Sequence, residues 1–463
     1  MPLNQLRKTL SPDSKIDPKQ GCGYALPFII TTFLSTPVWT ALPGIYAKYF
    51  GLSLSVIAAV MFVGRLFDAI TDPLIGYWSD YYYAKRASRK PFIVIGGCLF
   101  MVSSYFLYVP PDNVDALYFL LWSLLFYFSW TLFEIPHLTW GGELSADPIQ
   151  RNTIYSYRAV GGYLGLLLFY AIPQLPVFSS AEIVPATLYY SVMLSLLLFP
   201  FCLFACVKWV PDGVRVRQPQ SPAGEKPANK SRLIIHLINC AISNKPLIIL
   251  LLAYSCYGLG VGLWYGLIFI FVDAYLMMGE QFAPAFMLSF AMSIPLVPVW
   301  AKIAKKIGKK SSWLIANLFF IVACFYTGCL EPGKTSFYQL LLLKFITDLG
   351  FLCIEIIPLT MLVGVVDYSR WKFKVDNQAT FFSLFVFFRK ISLALGAALG
   401  LWIISVYGFD PALTEHSQKS VQGLKLAIVI APTLFFILSF LFVLLFPINE
   451  SRQAIITRRV YPQ

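Results

Sequence analysis

"GRLFDAITDPLIGYWSD" (Gly64–Asp80) sits inside an otherwise apolar run and places Arg65, Asp68 and Asp72 among Leu, Phe, Ile and Val. A charge in hydrocarbon is costly, so ionisable residues within a membrane span read first as functional. Four residues on an α-helix turn through about 400°, which puts Asp68 and Asp72 on one face, one turn apart. Arg65 lies a turn earlier on nearly the same face. Two carboxylates that close do not both ionise cheaply in a dry site. Arg65 can neutralise one, and the charge that remains calls for a proton or a hard cation such as Na⁺, which oxygen ligands suit.

The rest of the chain supplies the membrane context. It has 463 residues, of which 58% are hydrophobic and only 13% charged, against about 25% charged in soluble domains. Apolar runs recur at the roughly 20 residues needed to cross a hydrocarbon core of about 30 Å. Helices satisfy their own backbone there, so the expected fold class is an all-α membrane protein. Twelve transmembrane helices are predicted, including spans over 23–50, 53–79, 117–142, 156–178, 284–303, 336–366 and 379–407. Pro37, Pro43, Pro136, Pro173, Pro295 and Pro358 are the expected kink points.

Charge asymmetry orients these spans. Most of the 36 lysines and arginines fall in alternate loops, while the opposite loops hold little beyond Lys48, Lys334, Lys419 and Lys425. By the positive-inside rule both termini are cytoplasmic. The first 20 residues are polar, so no cleavable signal peptide is expected. The polar stretch over 211–246 reads as a cytoplasmic linker with a short interfacial helix. It separates an N-terminal six-helix half over 1–210 from a C-terminal half over 247–447, with a cytoplasmic tail over 448–463.

The halves repeat weakly. "DYYYAKRASRKPF" (80–92) is echoed by "AKIAKKIGKKSSW" (301–313), and "LFEIPH" (132–137) by "CIEIIP" (353–358). Such repetition marks secondary transporters, whose sites lie at the midplane. Glu134 stands mid-span beside Pro136, with Thr131 three residues earlier on the same face; its alternative role is a structural pair with Arg158. Arg158 is placed at the start of the fifth span. Arg389 and Lys390, deep in the eleventh, suggest counter-charge for the acidic site or for an anionic substrate group. Glu355 and Asp348 are further acidic positions in the tenth. Asp80, Arg89 and Lys90 form a loop cluster that hints at a gate. His137 reads as a hydrogen-bonded helix residue, and Gly161/Gly162/Gly165 and Gly258/Gly260/Gly262 as close helix contacts.

Several classes are excluded. The net charge of +13 does not signal a nucleic-acid partner, because the basic residues keep to alternate loops. No phosphate-cradling loop, nucleophile elbow or Cys/His metal spacing occurs, so no enzyme activity and no cofactor is expected.

The segments "GRLFDAITDPLIG", "IPHLTWGGELSADPIQRNTIYSYR" and "VVDYSRWKFKVDNQATFFSLFVFFRKISLALGAALG" resemble those of the glycoside–pentoside–hexuronide:cation symporters, the melibiose permease-like branch of the major facilitator superfamily. The resemblance implies a major facilitator fold in the cell (inner) membrane and alternating access. It implies cation binding at Asp68, Asp72 and Thr131, with Asp68 and Asp72 as metal ligands if the coupling ion is Na⁺. It places Thr32, Glu134 and Arg158 at the family's sugar-site positions and Lys390 at that of a lysine beside the cation site; substrate is expected to bind near Thr32, Glu134, Arg158 and Lys390. The charge network would add Arg65, Arg389 and Glu355, and the gate Asp80, Arg89 and Lys90. Two positions depart from the family: Thr32 replaces a sugar-binding aspartate and Leu138 a stacking tryptophan. Thr71 replaces the asparagine of the sodium-using permease, which leaves Na⁺ and H⁺ open. The expected partners are a small-molecule substrate, a monovalent cation and the lipid bilayer. The expected function is symport of a sugar or glycoside. The alternatives are a lysophospholipid or other amphiphile, as in the related lysophosphatidylcholine symporters, or a sensor that moves nothing.

Overall fold

The computed structural model describes residues 17–144, 148–212, 243–354, 357–373 and 378–460, among which there is no strand. In chain order the helices are α1 (Pro18–Thr40), α2 (Leu42–Phe50), α3 (Leu54–Arg86), α4 (Lys90–Tyr108), α5 (Ala116–Glu143), α6 (Pro148–Ala171) and α7 (Pro185–Trp209). There follow α8 (Lys245–Ile270), α9 (Gly279–Ser293), α10 (Val297–Ile307), α11 (Lys309–Cys329), α12 (Phe337–Ile354) and α13 (Ile357–Phe373). The last are α14 (Gln378–Val406), α15 (Gln418–Lys425), α16 (Ala431–Leu445) and α17 (Glu450–Val460). Among the described residues, ten helical stretches are long and apolar enough to cross a membrane; α6 and the α9–α10 region are helical but fall outside that set. The expected interfacial helix, 232–242, lies outside the described residues, as does Glu355.

Local chemistry sets the boundaries. Asp17 caps α1, its carboxylate accepting from the Lys19 N–H at 3.0 Å, and Pro18 follows at the first helical position, where its missing N–H costs nothing. The single span expected over 23–50 is two helices, because Pro43 stands at the start of α2 and cannot donate within a continuous helix. The span expected over 284–303 is also broken: a 3₁₀ turn, Ile294–Leu296, separates α9 from α10 and contains Pro295. Arg158 does not open its helix, since α6 begins at Pro148.

The chain divides into two compact units: Met1–Leu52 with Ala59–Ser221, and Ser53–Ala58 with Pro222–Gln463. In the first, α1 packs on α6 and α7, while α4 packs on α5 and α7. In the second, α8 packs on α14 and α16, while α11 packs on α12 and α16. The same scheme therefore appears in both, in the same chain order. Glycine seams make the closest approaches. Gly161 and Gly165 of α6 press on Ala25 and Ile29 of α1, and Gly258 and Gly262 of α8 press on Ser392 and Leu393 of α14. With little hydrophobic drive between helices in lipid, such backbone-to-backbone packing supplies the cohesion.

At Gly262 an added Cβ would run into the Leu393 carbonyl oxygen, which cannot rotate away, whereas at Gly76 the nearest atom is 4.0 Å off. Overpacking costs about 1–3 kcal/mol, while Gly→Ala in an open helix position gains up to about 1 kcal/mol. Gly262→Ala should lower the melting midpoint of the detergent-purified protein by several degrees, and Gly76→Ala should leave it unchanged or raise it. Equal midpoints for the two variants would refute the seam.

Candidate functional site

The acidic pair is built from α3 and α5. Gly64 leaves room for the ring of Tyr127 to lie against α3. The Arg65 guanidinium stands 3.3 Å from the centroid of Trp39 and 5.1 Å from that of Tyr127. Its Nη1 is 3.9 Å from Asp68 Oδ2, the outer limit of an ion pair. Arg65 is therefore held by aromatic faces as much as by charge, an attraction that grows when water is excluded. Asp68 is only 2% exposed and Asp72 is half-buried. The Thr131 hydroxyl reaches both, donating to Asp68 Oδ1 at 2.6 Å and lying 3.1 Å from Asp72 Oδ1. It has one proton and satisfies one carboxylate at a time. The Thr71 hydroxyl bonds back to the Asp68 carbonyl at 3.2 Å and so is turned to the backbone. No group of three or more His, Cys, Asp or Glu gathers as metal ligands among the described residues. The donor set here is two carboxylates and a hydroxyl, hard oxygens that fit Na⁺ or a proton.

One turn along α5, Glu134 Oε1 accepts from Nη2 of Arg158 on α6, and the Arg158 guanidinium covers the Phe28 ring at 3.7 Å. Thr32 lies one turn beyond Phe28 on α1. Three atoms here are buried without a hydrogen-bond partner among the described residues: Thr32 Oγ1, Glu134 Oε2 and Arg158 Nε. Burying a polar atom unmet costs about 1–3 kcal/mol, and three such atoms lie close together here. His137 is fully buried, with Nε2 3.0 Å from the Tyr24 carbonyl and its ring stacked on Tyr24 at 4.2 Å. A carbonyl only accepts, so Nε2 carries the proton. In the second unit, Lys390 is half-buried and Arg389 exposed on α14.

Asp80, Arg89 and Lys90 come together with partners that were not anticipated. Arg89 is 4% exposed. Its Nη2 donates to Asp80 Oδ1 at 2.6 Å and to Glu143 Oε1 at 2.7 Å, and its Nη1 to Ser79 Oγ at 2.6 Å. Burial works against the guanidinium charge, but the hydrogen bonds and charges of Glu143 and Asp80 outweigh it and raise the pKa. The ends of α3 and α5 are thus tied to the start of α4. Lys90 Nζ donates to the Val207 carbonyl of α7 at 2.9 Å. Its counterpart Lys310 donates to the Leu444 and Phe446 carbonyls at the end of α16, at 2.7 and 3.1 Å. Each lysine caps a helix C-terminus. Lys344, also not anticipated, pairs with Asp348 one turn along α12, and Ser289 donates to the other Asp348 oxygen at 2.6 Å. The four-residue spacing was the available signal for that pair.

A sequence profile for the family described as MFS/sugar transport protein matches residues 23–450. The chain belongs to this family. As a member of the MFS/sugar transport family it is a multi-pass membrane transporter and not an enzyme. It is 24% identical over 420 residues to the uncharacterized symporter YjmB of Bacillus subtilis, with 85% of this chain and 86% of that one covered. It is 23% identical to the sodium-dependent lysophosphatidylcholine symporter 1-A of Danio rerio, covering 94% and 84%. With the isoprimeverose transporter of Lactiplantibacillus pentosus it shares 23% identity, covering 89% and 85%. The fold matches that of the nucleoside transporter NupG at a TM-score of 0.65 and 13% identity, over 93% of this chain and all of that one. The MFS/sugar transport fold is therefore the one observed.

The Arg89 lock yields a graded expectation. Glu143 makes a two-point contact with Arg89 and is mostly shielded, while the Asp80 side chain is 67% exposed. Hydrogen bonds to charged groups contribute about 1.5–3 kcal/mol when shielded and less in water. Glu143→Gln should therefore lower the detergent melting midpoint more than Asp80→Asn does. A larger loss from Asp80→Asn would contradict the assignment of Glu143 as the main partner.

Proposed function

We propose that this chain is a cation-coupled symporter of a small polyhydroxylated solute, a sugar or glycoside, working by alternating access. In this reading twelve spans cross the cell (inner) membrane with both termini in the cytoplasm, α6 and α9–α10 completing the count. The observation that supports it best is the pairing of two sites along one turn of α5. Thr131 joins Asp68 and Asp72, and Glu134 faces Arg158 with polar capacity to spare. The cation, Na⁺ or H⁺, is held by Asp68, Asp72 and Thr131, with Arg65 offsetting part of their charge. A ligand rich in hydroxyls can donate to Glu134 Oε2 and accept from Arg158 Nε and Thr32. Lys390 stays a candidate substrate contact, and Arg389 and Glu355 candidate members of the charge network. Asp80, Arg89 and Lys90 stabilise one end of the cycle. The family's description as sugar transport and the isoprimeverose transporter among the relatives support this substrate class.

A second reading rests on Leu138, one turn beyond Glu134 and 43% exposed, an apolar side chain next along this side of α5. With the lysophosphatidylcholine symporter among the relatives, it favours an amphiphile carried by the same cation mechanism. Proteoliposomes decide between them: uptake of a glycoside panel against a lysophospholipid, driven by Na⁺ or by a pH gradient.

Asp72→Asn should abolish gradient-driven uptake while the protein still inserts and purifies. Thr131→Ala should weaken apparent cation affinity by about tenfold, the loss of one charge-assisted hydrogen bond of roughly 1.4 kcal/mol or more. Normal accumulation by Asp72→Asn vesicles would rule out its role in coupling.

A further inference from the structure

Between Glu134 and Glu143, α5 gathers features that loosen a helix, yet it stays helical throughout. Pro136 has no N–H to offer the Leu132 carbonyl. The Thr139 hydroxyl donates back to the Ile135 carbonyl at 2.8 Å, a bond that tends to bend helices. Gly141 and Gly142 follow side by side, residues of low helix propensity that favour kinks when paired. A membrane helix tolerates such a stretch where neighbouring groups meet the carbonyls it releases.

Those groups are in place. Tyr24 of α1 donates its hydroxyl to the His137 carbonyl at 2.7 Å, and Tyr155 of α6 donates to the Leu138 carbonyl at 3.2 Å. These two carbonyls stand four residues before Gly141 and Gly142, whose N–H groups are their partners in a regular helix. The glycines themselves admit the tyrosines: a Cβ on Gly141 would run into the Tyr24 hydroxyl, and one on Gly142 would stand 2.9 Å from that of Tyr155. A carbonyl oxygen has two lone pairs, so it can hold a helical N–H and a hydroxyl together. When the helical bond opens, the hydroxyl stays and the carbonyl is not orphaned. The stretch is anchored at both ends. Thr131 and Glu134 are bonded to α3 and α6 before it, and Glu143 is bonded to Arg89 after it. We propose that residues 135–142 of α5 form a hinge between the Glu134–Arg158 pair and the Arg89–Glu143 lock. Tyr24, Tyr155 and Thr139 are its positioning residues, keeping its carbonyls met while it bends. The hinge acts whichever ion or solute is carried.

The sign of one change separates a hinge from a plain clamp. Removing a tyrosine hydroxyl costs the straight helix a second bond to a carbonyl already met, but costs the bent helix the only one. Amide hydrogen exchange, read by mass spectrometry on the full-length protein in lipid nanodiscs, measures the bending as local opening. In the wild type, amides over 137–143 should exchange about tenfold faster than those over 119–131 of the same helix. Tyr24→Phe with Tyr155→Phe, which keeps both rings, should slow exchange over 137–143 by about fivefold, the worth of one hydrogen bond, and leave 119–131 unchanged. Thr139→Val, tested by itself, should slow the same amides. Glu143→Gln, which frees the far end, should quicken exchange over 137–143 and stop at Pro136. Faster exchange in the tyrosine or threonine variants would make these residues a clamp and overturn the hinge. So would uniform exchange along wild-type α5, or a Glu143→Gln effect that spreads equally past Pro136.

Discussion

A charge taken into hydrocarbon must find its counter-charge and hydrogen bonds within the protein, because no water is there to supply them. That constraint separates two kinds of ion pair in this molecule. Lys344 and Asp348 are 1% and 2% exposed at their side chains, one carboxylate oxygen takes the lysine, and the other takes Ser289. The ammonium also faces the rings of Phe290 and Phe286. Both carboxylate oxygens of that pair are met, and the ammonium rests against aromatic faces. Glu134 and Arg158 differ. They share one contact and leave one buried oxygen and one buried nitrogen unmet. An unmet buried polar atom calls for an explanation, and a ligand is a direct one. The two pairs thus differ in how far their carboxylates are met: both oxygens of Asp348, one of Glu134.

The two units solve the same packing problem with the same device. Each brings its first helix against two later ones through glycines whose missing Cβ atoms allow backbone contact. Each also uses a lysine to cap the carbonyls at the end of its last span, Lys90 on α7 and Lys310 on α16. A helix end facing an interface exposes unpaired carbonyls and a partial negative charge. A lysine from the neighbouring helix answers both. Divergence lies in the polar interior. In the first unit the interior side chains of α3 and α5 converge on the acidic pair; in the second, α12 closes its charges on itself.

Much of this was legible in the sequence where it depended on local periodicity. The apolar runs marked the helices, and the four-residue spacing put Asp68 and Asp72 on one face, where Thr131 now meets both. The internal echo at Lys90 and Lys310 was visible as a charge run before its capping role was. What stayed hidden depended on contacts between residues far apart in the chain. Trp39 and Tyr127 belong to different helices from Arg65, and no spacing rule announces that their rings will hold it. Glu143 reaches Arg89 across 54 positions. The helix breaks fall at two of the prolines expected to kink, Pro43 and Pro295; the continuous hydropathy of 23–50 does not show that a kink there becomes a full division into two helices.

Coupling between cation and substrate needs no long path if both sites share one turn of α5. Thr131 and Glu134 are three residues apart, so their side chains leave the helix on the same side. Pro136 removes the N–H that would have bonded the Leu132 carbonyl, four residues back, and Leu132 lies between them in the chain. This stretch of α5 is therefore held less firmly by its own backbone than a regular helix would be. Under the proposed symport, an ion that draws Asp68, Asp72 and the Thr131 hydroxyl together would act directly on it, and the shift would be felt at Glu134 and its partner Arg158. The same mechanics run in reverse when a ligand meets Glu134 Oε2, so each occupant must alter the affinity for the other by the same factor. A coupling of about 1–3 kcal/mol is no more than one or two charge-assisted hydrogen bonds, which is the number of contacts that Thr131 has to redistribute.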